Sequence, residues 1–262
     1  MNGEAGMQAS RMGRVVAIAS GKGGVGKTWL AITLAQALVE AGAGPVLLID
    51  ADHGLANVDV QLGIDPRHDL AGVLAGRVPL GEAVLRHAAG FDLLPGRSGS
   101  GAVLDAAMLE RLAATVAGAA RLWPLVLLDL AAGLGVAERR LAAVADTLLI
   151  LATEEPTSLT DAYAVLKLHR RDRPGGDARL VANGAADAAA GQRIWRSLDR
   201  AAIAFLGAGV PLAGVVRRDR RVPEAIRRQT PLLTRHPTAP AAEDVARLAQ
   251  ALLASATRRG AA

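Results

Sequence analysis

The run Gly21-Lys22-Gly23-Gly24-Val25-Gly26-Lys27-Thr28 constrains this chain more than any other stretch. Residues 15–19 before it form an apolar segment with the length of a buried strand, and residues 29–38 after it are long enough for a helix. Strand, glycine loop, Gly-Lys-Thr and helix in that order make a P-loop. Its backbone N–H groups, from Gly21, Gly23, Gly24, Val25 and Gly26, are placed to cradle phosphate at a helix N-terminus. Lys27 then reaches the β- and γ-phosphates, and the Thr28 hydroxyl binds Mg²⁺. Glycines allow the backbone to approach phosphate without a Cβ in the way.

Of the 30 basic residues, only Lys22, Lys27 and Lys167 are lysine. Arginine is a broad planar fork, whereas lysine is a compact charge on a slim stem. A chain that uses arginine nearly everywhere else keeps two of its three lysines in this one loop, as a narrow phosphate pocket requires.

Further apolar segments recur along the chain. Residues 46–49 read as a strand ending in Asp50-Ala51-Asp52, and residues 91–94 as another. Residues 125–128 end in Asp129, a Walker B pattern that places this carboxylate on Mg²⁺ directly or through water. Residues 147–153, 178–183 and 211–216 are the remaining strands, with helical patterns at 104–120, 188–206 and 241–257. Thr157 or Ser158 is the expected N-cap of the helix after residue 153. Repeated strand–helix units with polar residues at strand ends predict one doubly wound, mostly parallel α/β sheet with helices on both faces. Residues 1–13 are expected to be a flexible tail and 14–262 a single P-loop domain that includes the C-terminal helix.

The hydrophobic content of 51% is ample for a core, and with 2% aromatics that core is built from Ala, Leu and Val. No apolar run approaches the length of a membrane span, and the N-terminus has no apolar stretch of a secretory signal. The chain has no cysteine, which excludes disulfides and thiolate-held metals or clusters. A cytoplasmic location is expected. The net charge of +5 includes arginine clusters at 217–221 and 227–228, read either as solvated faces or as contacts to nucleic acid or anionic lipid. The last helix carries Val245, Leu248 and Leu252 on one face and has no aromatic residue, so it is expected to pack on the core and not to bind membrane.

The early lysine gives the loop the form KGGVGKT, which resembles the deviant Walker A motif of the MinD/ParA ATPases. The resemblance covers roughly residues 14–257. The strings LIDADHGLANVDVQLG and EPTSLTDAYA, together with a Pro/Gly/Ser loop at 95–101, are similar to the flagellar number regulators FlhG and FleN within that family. The resemblance implies a slow Mg²⁺-dependent ATPase that dimerises around ATP. Lys22 would contact the nucleotide held by the second copy, Asp52 would position the attacking water, and Asp50 would support the Mg²⁺ shell. Asn183 and Asp219 would lie at the adenine base. Leu130 stands where the family has a small polar residue, which leaves the Gly133 backbone as the group available near the γ-phosphate and bears on catalytic rate. The implied output is control of flagellar number or placement through flagellar assembly or polar-positioning proteins, with recruitment to the membrane or pole through them. A MinD-like role at the division site, or a ParA-like role in partition with non-specific binding to DNA, stays open.

Overall fold

The computed structural model describes residues 12–96 and 105–259. Its centre is strand β1 (Arg14–Ser20), which leads through the glycine loop into helix α1 (Lys27–Glu40). There follow β2 (Val46–Ala51), α2 (Val58–Leu62), α3 (Leu70–Leu74), α4 (Leu80–Ala83), β3 (Leu85–Arg86) and β4 (Asp92–Leu94). The chain continues with α5 (Ala106–Leu122), β5 (Leu125–Ala132), α6 (Val136–Val144), β6 (Thr147–Ala152), α7 (Pro156–Asp172) and β7 (Ala178–Ala185). It ends with α8 (Ala188–Leu206), β8 (Leu212–Arg217), α9 (Arg221–Arg227), α10 (Leu232–Arg235) and α11 (Pro240–Arg259).

The strands form one sheet in the order β3-β4-β2-β5-β1-β6-β7-β8, parallel throughout except for the β3–β4 pair. Helices cover both faces, so the central strands are buried on two sides and read as unbroken apolar runs. Successive strand residues alternate between two cores. Ala17, Ile49, Leu128 and Ile150 face the layer of α5, α6, α7 and α8, whereas Val16, Ile18, Leu48, Leu127 and Leu149 face α1 and α11. On α11 Val245, Leu248 and Leu252 are buried in that second core, as its spacing predicts. Among the described residues no helix is long and apolar enough to cross a membrane.

Three local expectations change. The strand expected at 91–94 begins at Asp92; Phe91 is instead fully buried and stacks on the His87 ring at 4.9 Å. The two-residue β3 that pairs with it is too short to leave a pattern in the sequence. Helix α7 starts at Pro156 with Glu155 before it and no side-chain cap, because proline is suited to a first turn whose N–H needs no partner. Ser158 lies inside that helix, where its Oγ accepts a hydrogen bond from the Thr153 N–H at 3.0 Å. The loop at 97–101 and the first eleven residues of the expected tail lie outside the described residues. Gly13 is not loose, since its N–H donates to the Ala120 carbonyl at 2.6 Å.

Candidate functional site

In an open parallel sheet, ligands bind at the carboxyl ends of the strands. Here β5 and β7, with the segments that follow β1, β2, β6 and β8, line a cleft of about 630 Å³. It is lined by Gly23 to Trp29 on one side, by Asp52, Leu55 and Asn57 on another, and by Thr153, Glu154, Glu155, Asn183 and Arg218 opposite. This volume suits a mononucleotide-sized ligand.

The loop is built as a cradle. Gly24 has φ +77° and Gly26 has φ +92°, conformations that L side chains rarely adopt. Gly23 and Gly24 have open space beside their α-carbons. Gly26 precedes α1 without any side-chain cap, so the first N–H groups of that helix are left for an anion. Gly21 sits behind the cradle against Asp161 of α7, not on the cleft wall. Lys27 is only 8% exposed, and burial lowers its pKa against the opposing pull of Asp129, Asp52 and Glu138.

Beneath the cleft, Asp50 and Asp129 are register partners on neighbouring strands and both are 1% exposed. Asp129 is pushed up to about 7, chiefly by burial and then by the charge of Asp50, while the Thr28 hydroxyl and Lys27 pull it down. Asp129 Oδ1 is buried without a hydrogen-bond partner. A hydroxyl and an orphaned carboxylate oxygen are hard oxygen donors, which fits Mg²⁺, an ion commonly held by one or two protein oxygens plus substrate phosphates. The residues present therefore fit the cation.

Asp50 is used differently from the expectation. Its Oδ1 accepts the Asp52 N–H at 3.2 Å, and its Oδ2 accepts the Asn57 and Val58 N–H groups at 3.0 Å each. Both oxygens hold the 52–58 loop in place, and the structure does not bring them to the cleft wall. Asp50 is pushed up to about 6 by burial. Asp52 does line the cleft, with Oδ1 accepting from the Gly54 and Leu55 N–H groups at 3.1 and 2.8 Å.

These raised carboxyl pKa values set a pH dependence. Between about 4 and 7 the folded protein holds protons that the unfolded chain has released, so ligand-free stability falls as pH rises through this window. The expected melting temperature declines from pH ~4 to ~7 without ligand, and saturating Mg²⁺ with ADP flattens the decline. A ligand-free profile that rises with pH would contradict the burial of this pair.

Lys22 donates from Nζ to Glu155 Oε2 at 2.5 Å and to Thr157 Oγ1 at 3.2 Å. Asn183 is 4% exposed; its Nδ2 donates to the Val25 carbonyl at 2.7 Å, tying β7 to the P-loop, and its Oδ1 is buried without a partner. Asp219 is not among the cleft-lining residues, and its Oδ1 accepts the Arg221 N–H at 2.9 Å. The adjacent Arg218 takes that place, paired with Glu154 at 2.7 Å. Gly133 also departs from expectation, because its N–H donates to the Ser20 carbonyl at 2.9 Å and is not free. Sequence reasoning missed Trp29, Arg218 and the glutamates of the 154–155 pair. The one available signal was the bulky Trp29 directly after Thr28.

A P-loop on the central strand, a buried aspartate at the end of the neighbouring strand and helices on both faces define a nucleotide-binding α/β protein. The chain belongs to the family described as CobQ/CobB/MinD/ParA nucleotide binding domain, whose model matches residues 16–153. Within that family it is 35% identical over 218 residues to the antiactivator FleN of Pseudomonas aeruginosa, a match covering 82% of this chain and 78% of that protein. It is 31% identical over 191 residues to the flagellum site-determining protein YlxH of Helicobacter pylori, covering 72% of this chain and 64% of that one. The septum site-determining protein MinD of Pyrococcus horikoshii, solved with Mg-ADP, superposes with a TM-score of 0.75 at 25% identity, covering 92% of this chain and 96% of that one. The family placement and the flagellar relatives bear out the resemblance carried by the loop and by the 155–164 string.

Proposed function

We propose that this protein is an ATP-dependent switch that controls flagellar number or placement: ATP binding joins two copies, and slow hydrolysis separates them. The observation that carries the proposal is the KGGVGKT cradle, with Lys22 paired to the cleft-lining Glu155, in a chain similar to FleN and YlxH over most of its length. Lys27 and the N–H groups of residues 23–28 bind the phosphates. Thr28 and Asp129 Oδ1 hold Mg²⁺, which supplies charge neutralisation at the phosphates when bound. Asp52, on the cleft wall, orients the attacking water. Asn183 Oδ1, an acceptor without a partner, suits the exocyclic amine of adenine, because a buried acceptor gains most from a ligand that satisfies it.

Lys22 is the group we assign to the nucleotide of the second copy. In a single copy it is held by Glu155, which lines the cleft, and by Thr157. The Lys22 and Glu155 side chains are 40% and 61% exposed, so their ion pair is weak and readily exchanged for a phosphate. Each dimer would gain this contact twice.

The test is a deletion strain in which flagella per cell and minicells are counted in the same images. Altered flagellar number with normal division is the expected result. Minicells with normal flagella would replace the proposal with a division-site role, which the 25% identity to MinD of Pyrococcus horikoshii favours as the second reading.

A further inference from the structure

We infer that Trp29 contacts the bound nucleotide: its indole walls the cleft beside Gly26, and its N–H donates to an oxygen of the ligand. This rests on the nucleotide reading above. The chain has three tryptophans, and two of them have the indole N–H committed inside the protein. Trp123 Nε1 donates to Asp92 Oδ2 and Trp195 Nε1 to the Val210 carbonyl, each at 2.7 Å, and both rings pack in the core that faces α5 to α8. Trp29 is on the other face, half-buried, and lines the cleft itself.

Its indole nitrogen lies against the last cradle glycine. A Cβ built on Gly26 would lie 2.4 Å from Trp29 Nε1 and 2.7 Å from Asn183 Nδ2. The indole nitrogen and the Asn183 amide nitrogen therefore both lie beside the bare α-carbon of the last cradle glycine. Asn183 spends its amide on the Val25 carbonyl, whereas the described residues give Trp29 Nε1 no hydrogen-bond partner. An indole N–H can only donate, and the groups that enter a nucleotide cleft are acceptor-rich phosphate and sugar oxygens.

The ring is also a partition. Trp29, Gln61 and Ile226 line both the cleft and a small neighbouring cavity that runs under α9 to Thr230 and Leu232. Residues of three elements, α1, α2 and α9, thus line both volumes, and the ring is one of them. A side chain that merely filled the core would not need to border both volumes.

Calorimetry and tryptophan emission during titration with Mg-ADP test this on the full chain, using Trp29→Phe and, as a control, Trp123→Phe. The wild type should change emission with a midpoint equal to the calorimetric Kd. Trp29→Phe keeps an aromatic ring, so it should fold and bind, but with Kd raised about tenfold for the lost N–H and with the emission change gone. Trp123→Phe should keep both. Binding by the wild type without an emission change, or a Trp29→Phe variant that keeps both Kd and emission change, would overturn the inference while leaving the nucleotide site intact. No binding by the wild type would overturn both.

Discussion

Replacing Lys27 by Ala is expected to weaken nucleotide binding by at least ~100-fold, read as loss of a calorimetric signal for ADP and ATP alike. Two physical terms combine. Charge-assisted hydrogen bonds to phosphate are about twice as strong as neutral ones, and a buried site strengthens them further. Lys27 is also the cation that offsets Asp129 and Asp52, whose charges act on it across the cleft. Without it, an incoming triphosphate meets uncompensated carboxylates. The fold should survive, because burial already disfavours the charged lysine and alanine is a good helix former at the start of α1. Unchanged affinity in a folded Lys27→Ala protein would rule out the P-loop as the nucleotide site.

Replacing Asp52 by Ala should leave binding close to normal and slow hydrolysis by roughly 100-fold or more, the scale typical of losing a positioned acid–base group. The residue stands on the cleft wall, and one of its oxygens is anchored by two backbone N–H groups, so its carboxylate is pre-set and not free to wander. Removing it also frees the Gly54 and Leu55 N–H groups, both at the loop surface where water replaces the carboxylate at little cost. Phosphate release measured under single-turnover conditions separates the two effects. A variant that hydrolyses ATP at the wild-type rate would remove Asp52 from the mechanism.

Parts of this site could be read from the sequence because their chemistry is local. A cradle needs glycines and a lysine within eight residues, and Asp129 announces itself at the end of an apolar strand. Seven of the eight strands in the described sheet were legible for the same reason, since each central strand is a continuous apolar run; the two-residue β3 was not. What escaped depends on where the chain returns. Lys22 meets Glu155 from 133 residues away, and Arg218 meets Glu154 from 64, pairings that only the strand order brings about. Asp50 was recognisable as a strand-end carboxylate, yet its oxygens are consumed by a loop that folds back over it. Gly133 turned inward to Ser20 through a backbone hydrogen bond that leaves no mark on residue type, and the Asp219 carboxylate turned to the Arg221 N–H at the start of α9. Trp29 was visible as a residue but not as a wall, because Gln61 and Ile226, which line the same two cavities, come from distant elements.

The central claim is that ATP joins two copies, and light scattering after size-exclusion chromatography measures it directly. Mass is recorded for the wild type with Mg-ADP and with Mg and a non-hydrolysable ATP analogue, beside Lys22→Ala. The account predicts a monomer with ADP, a dimer with the analogue, and a monomer in both for Lys22→Ala. A wild type that stays monomeric with the analogue, while calorimetry shows it bound, would contradict the account.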